Sequence, residues 1–246
     1  ETSGPALATR RRAEASAAAA LIGATYEVLD VPDGALDDRL EYRHLVIRLI
    51  RTFRPDLVVT HRTNDYHPDH RFTGQLVQDA SYLLTVPAIC ADVPHLPSPP
   101  VILSFSDAFQ KPRPFEPDVV VAIDSVIDRV VAMLDRHVSQ FYEWLPYNAG
   151  NSGDVPSSAE ERGAWLGERY RERVRPLSDQ YRGLVSRIYG TEAAAGITFI
   201  EAFECSEYGA PLDAETWERL FPFLPTESSA CARSSRREWV DRPEVE

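Results

Sequence analysis

Residues 56–60, DLVVT, hold a continuous apolar run of strand length set between two helical patterns. Upstream, Leu40, Leu45, Leu49 and Ile50 recur at helical spacing across 38–53, and Pro55 stops that helix. Downstream, residues 69–84 read as a helix again. A short apolar strand between helices suits burial on both faces, as in a parallel sheet. The same alternation runs along the chain. Further strands are predicted at 25–29, 101–106, 119–123 and 197–203. Further helices are predicted at 6–22, ended by Gly23, at 125–141 and at 213–221. Segment 158–189 reads as a helix or helix pair interrupted near Pro176. Strands alternating with helices predict a doubly wound α/β fold, a mostly parallel sheet with helices on both faces.

In such sheets, ligands bind beyond the carboxyl ends of the strands. The residues that follow 56–60 are HRTNDYHPDHRF (61–72), with three of the six histidines. If Pro68 opens a helix, its favoured place, His67 sits at the entry and His70 in the first turn. The two imidazoles then approach one centre, and Asp69 is positioned to accept an N–H from one of them. A histidine held that way donates a proton or stabilises developing negative charge, and neutral imidazole is a common zinc ligand. One histidine does not make a metal site, because catalytic zinc usually takes three protein ligands. The plainer alternative is a solvated turn and helix cap, which uses the same residue types. The strand-end location favours a site.

Composition narrows the partners. Lys and Arg number 26 against 38 Asp and Glu, a formal charge of −12. That argues against nucleic acid and anionic membranes, which attract basic surfaces. No apolar run approaches the ~20 residues that span a bilayer. Cys90, Cys205 and Cys231 form no CxxC pair, which points to a reducing, cytoplasmic setting. The glycines form no phosphate-binding pattern.

Residues 54–83, RPDLVVTHRTNDYHPDHRFTGQLVQDASYL, resemble the PIG-L/LmbE-like deacetylases through D-x-HPDH after an apolar strand. Weaker likenesses follow in order: TSG with RRAEASAAAALIGA near the start, DVPDGAL at 30–36, RHVSQ at 136–140 and FIEAFE at 199–204. The resemblance implies a Rossmann-like α/β fold and metal-assisted removal of an N-acetyl group from an amino sugar or its conjugate. Zinc, or another divalent metal, is the implied cofactor, and a small amino-sugar conjugate the implied partner. A homo-oligomer is compatible with this reading. By position, His70 would bind the metal, and His67 would stabilise the oxyanion or protonate the leaving amine, oriented by Asp69. Arg11, Asp65 and His137 would face the substrate.

The family's first motif, HPDD, does not occur; the only His-Pro pair is His67–Pro68. The expectation is a single domain over 1–225, incomplete at its N-terminal side, with the other half-site upstream and a loosely ordered tail at 226–246. The alternatives are a carbohydrate-binding relative without the metal, and a metal-dependent amidase acting on a non-sugar. Among the remaining candidates, Asp33–Gly34 reads as turn chemistry and Arg10–Arg12 as a solvated helix face or a carboxylate contact. His137 reads equally as a packed or surface histidine. Trp144, Trp165, Tyr142 and Tyr147 fit either a core or a sugar platform.

Overall fold

The computed structural model describes residues 4–225; the expected tail at 226–246 lies outside them. The chain divides into two compact units, the first built from 4–30, 122–181 and 197–200, the second from 31–121, 182–196 and 201–225.

In the first unit, the Ala-rich segment forms α1 (Gly4–Ala20), and Gly23 leaves it with φ +68°, a conformation that favours glycine. Its buried face is Glu14, Ala15, Ala18 and Ala19. A buried carboxylate needs donors, and Glu14 accepts the N–H and the hydroxyl of Ser139 at 3.0 and 2.6 Å. Arg10 bridges Glu14 at 3.1 Å and holds Glu143 through two bonds of 2.7 and 2.6 Å, so this arginine makes carboxylate contacts. The predicted helix at 125–141 is α4 (Ile127–Asp135), followed by a π-helical stretch at Ser139–Trp144 and the short α5 (Leu145–Asn148). Next comes α6 (Ala159–Gln180), whose N-cap Ser158 accepts the Glu161 N–H at 3.2 Å. Pro176 lies inside α6 and does not interrupt it. It forgoes one backbone bond, and the helix continues one further turn.

The expected strand at 25–29 does not form: those residues are irregular, with Tyr26 56% and Val28 41% exposed. Aromatic and β-branched residues favour strands only where a partner strand and a packed face are supplied.

In the second unit, α2 (Leu40–Phe53) ends at Arg54 in the left-handed region, just before Pro55. It leads to β1 (Leu57–Thr60), α3 (Pro68–Leu83) and β2 (Val101–Phe105). Then come β3 (Val119–Ala122), α7 (Arg182–Tyr189), α8 (Thr191–Ala195), β4 (Ile200–Cys205) and α9 (Ala214–Leu220). The strand order is β1-β2-β4-β3. β1 runs parallel to β2, Leu57 opposite Val101 and Thr60 opposite Ser104. β4 runs antiparallel to β2, so the sheet is mixed. The α/β class and the flanking helices hold. β1 is less buried than its apolar run predicts, with Val59 36% exposed, because it stands at the end of the strand order.

α2 and α3 pack through Ile47, Ala80 and Leu84, with Cys90 and Leu96 closing the cluster. The same region buries Arg51. Its guanidinium donates to the carbonyls of Leu83, Leu84, Val86, Ile89, Cys90 and Val93 at 2.5 to 3.2 Å. It ties the carboxyl end of α3 to the turns that follow it.

Candidate metal and acid–base centre

The carboxyl end of β1 hands the chain to His61, and α3 returns beneath it. Their approach is close enough that a Cβ on Gly74 would lie 2.5 Å from the His61 carbonyl oxygen. His67 caps α3 and Pro68 occupies the first helical turn, as expected.

Asp65 organises the loop. Its Oδ1 accepts the His67 backbone N–H at 2.9 Å and lies 3.0 Å from His70 Nδ1. Arg71 holds the Asp65 carbonyl at 2.7 Å. His70 then stacks on His61, with ring centroids 4.2 Å apart and planes 3° from parallel. His61, Asp65 and His70 each present a donor atom within 4.8 Å of the others. Burial holds the His61 pKa below its ordinary value; the His70 charge acts the same way, and Asp65 opposes it.

His67 is adjacent, its ring centroid 5.0 Å from that of His70. Its Nδ1 accepts the Asp69 backbone N–H at 3.2 Å, which leaves Nε2 as the N–H end of the neutral ring. Nε2 stands 3.7 Å from Asp33 Oδ1. Asp33 occupies a turn closed by Ala35 N–H to Pro32 O at 3.0 Å, in which Gly34 has φ +79°. The Asp69 carboxylate accepts the N–H groups of Gly34 and Leu36 at 2.8 and 3.2 Å. Asp69 therefore binds the 33–36 turn, where the expectation had it accept from His67; the acidic side chain facing His67 Nε2 is Asp33. Asp33, His67 and Asp69 form a second group with donor atoms within 4.8 Å of one another.

Of the six residues singled out from the sequence, the structure gathers His67, Asp69, His70 and Asp65. Arg11 and His137 belong to the first unit. Arg11 lies on α1, its Nε buried without a hydrogen-bond partner, and His137 follows α4, its N–H bonded to Leu134 O at 3.0 Å. Sequence reasoning passed over His61 and Asp33. His61 had a signal, as the first residue after the strand. Asp33 had none beyond its turn. Tyr66 was also passed over: it is 73% exposed and meets His67 and His70 in T-shaped contacts, with centroids 5.7 and 5.5 Å away.

Next to His61, the buried Arg62 points into a charged network. It pairs with Asp107 at 3.0 Å and Glu204 at 3.3 Å and donates to the Arg113 carbonyl at 2.8 Å. Asn64 donates to the Lys111 carbonyl at 3.3 Å. These bonds fix loop 106–114 against the histidine segment.

The donor set fits a divalent metal. Two imidazoles and a carboxylate are the ligands a catalytic zinc commonly takes, and three is the number that leaves a position for water. Asp65 Oδ1 and His70 Nδ1, 3.0 Å apart, stand at the spacing of two ligands on one ion, so a bound metal would replace the contact between them.

The PIG-L family model, described as GlcNAc-PI de-N-acetylase, matches residues 1–81. The 4-oxalmesaconate hydratase of Pseudomonas putida is 28% identical over 142 residues, 56% of this chain and 53% of the relative. The chain thus spans about half the length of that relative. Among solved structures, the 4-carboxy-2-hydroxymuconate hydratase of Pseudomonas putida aligns with a TM-score of 0.62 at 21% identity, covering 83% of this chain and 74% of that one. The N,N'-diacetylchitobiose deacetylase of Pyrococcus horikoshii aligns with a TM-score of 0.58 at 20% identity, covering 83% and 66%. These alignments show the fold. Among the described residues, no helix is long and apolar enough to cross a membrane.

Proposed function

We propose, on the premise that residues 1–81 carry the PIG-L pattern, that this chain contributes the active centre of a zinc-dependent hydrolase. It removes an N-acetyl group from an amino sugar or its conjugate. The observation that carries the reading is the His61–Asp65–His70 group beside His67 at the carboxyl end of β1.

His61, Asp65 and His70 would hold the ion, which supplies water activation and carbonyl polarisation at neutral pH. His67 Nε2–H is free to donate to the oxygen of the attacked amide as charge develops there. The same nitrogen, 3.7 Å from Asp33 Oδ1, is placed to pass a proton to the departing amine. Asp69 keeps the 33–36 turn, and hence Asp33, in place. The exposed Tyr66 offers a ring face on which a sugar can stack. Three widely spaced cysteines with no CxxC pair suit a reducing, cytoplasmic setting.

A second reading has its own support. The hydratase relative at 28% identity points to addition of water to an activated double bond, with His67 again the proton donor. Full-length protein loaded with zinc separates the two when assayed on N-acetylglucosamine conjugates and on unsaturated 2-oxo acids. Acetate release that falls about 10²–10⁴-fold in His67→Ala, with zinc retained, supports deacetylation. Turnover only of the unsaturated acid overturns it.

A further inference from the structure

We propose that the groove between the π-helical stretch with α5 and the middle of α6, within the first unit, binds a small amphipathic monoanion: a flat apolar body carrying one carboxylate. This inference is independent of the reaction proposed above.

On α6, Trp165, Arg169 and Arg173 follow one another at intervals of four and so share a face. Opposite stand Phe141, Leu145 and Pro146, and the open groove between them has a volume of about 630 Å³. That is the size of an ordinary small-molecule site, and the wall joins an apolar majority to the polar side chains of Asn148, Asn151, Arg169, Glu172 and Arg173. A π-helical stretch lines it, a geometry that recurs at functional sites.

The guanidiniums define the ligand. Arg169 lies over the Trp165 ring at 4.9 Å and Arg173 over the Tyr170 ring at 5.4 Å. Stacking uses the flat face of a guanidinium and leaves its in-plane fork of N–H groups open, the geometry that takes a carboxylate in two bonds. The Asn151 side-chain amide, 3.2 Å from Arg169 Nη2, is a neutral neighbour and leaves the charge uncompensated. Among the described residues, neither arginine has a carboxylate within ion-pair distance, in a chain with 38 acidic residues against 26 basic. Glu172 also lines the groove. Two guanidiniums and one carboxylate leave a single positive charge, which matches a monoanion. The rings of Trp165 and Phe141 provide the surface for its apolar part.

Isothermal titration of the native chain with 1-naphthoate, and with naphthalene-1-methanol as the uncharged counterpart, tests this. The carboxylate is expected to bind at least about tenfold more tightly than the alcohol, and Arg169→Gln/Arg173→Gln is expected to remove that preference. The Trp165 indole N–H resonance, assigned with Trp165→Phe, is expected to move on binding. Arg173→Gln alone, an exposed change that leaves the fold intact, should weaken the carboxylate and spare the alcohol. Equal binding of the two compounds, no binding of naphthoate, a double variant that binds naphthoate like the parent, or shifts that leave Trp165 unmoved would each overturn the proposal.

Discussion

The imidazoles of His61 and His70 lie face to face, 4.2 Å between centroids and 3° from parallel. They come from different elements, the exit of β1 and the first turn of α3, so the stack depends on how closely those elements approach. Gly74 sets that approach, since a Cβ there would meet the His61 carbonyl at 2.5 Å. Gly74→Ala is expected to cost about 1–3 kcal/mol in urea denaturation, as overpacking does. It should also weaken metal binding by displacing His61. Unchanged stability and affinity would show that the helix yields without moving the ring.

Arg51 holds six carbonyls from a position only 1% exposed. Arg51→Met removes the side-chain donor from all six carbonyls and leaves those of Ile89 and Val93 without their bond to it, at a cost of about 2–3 kcal/mol. Arg51→Lys should recover little of this, because an ammonium cannot spread its three donors over the same span. Chemical denaturation of the two variants measures both.

Asp213 caps α9 by accepting the Thr216 N–H at 2.9 Å, and that bond holds its carboxyl below the ordinary value of 3.8. The unfolded chain therefore takes up the proton first as pH falls. The contribution is complete above the ordinary value and is lost as pH drops through the lower folded one. Asp213→Ala should cost about 0.5–2 kcal/mol at pH 7. Asp213→Asn should keep much of the cap and flatten the acid limb of the stability profile. A profile identical to that of the parent would contradict the assignment.

Tyr66 is a surface residue with two histidine neighbours. If it is the platform for the sugar, Tyr66→Ala should raise KM several-fold, with kcat changing less and thermal stability unmoved. A fall confined to kcat would assign it a different part.

Much of this site is legible in the amino-acid sequence. Pro68 and His67 can be placed at the start of α3 because the first helical turn has strong side-chain preferences. β1 can be placed because Pro55 and the histidine loop bound a short apolar run. Which side chains meet is not legible. Asp69 bonds to residues 34 and 36, more than thirty positions away. Asp33 reaches His67 only through that fold of the chain. The irregular path at 24–29 and the continuation of α6 past Pro176 escape sequence reasoning for a related cause. Local propensity decides neither when partners or neighbouring turns supply the energy.

The proposed centre requires that His61, Asp65 and His70 bind one ion together. Zinc titration of the full-length polypeptide and of His70→Ala, followed by calorimetry, tests it most directly. A bound ion is expected in the parent, with an affinity lower by at least about tenfold in the variant. A parent that binds no zinc, or a variant that binds it equally well, would contradict it.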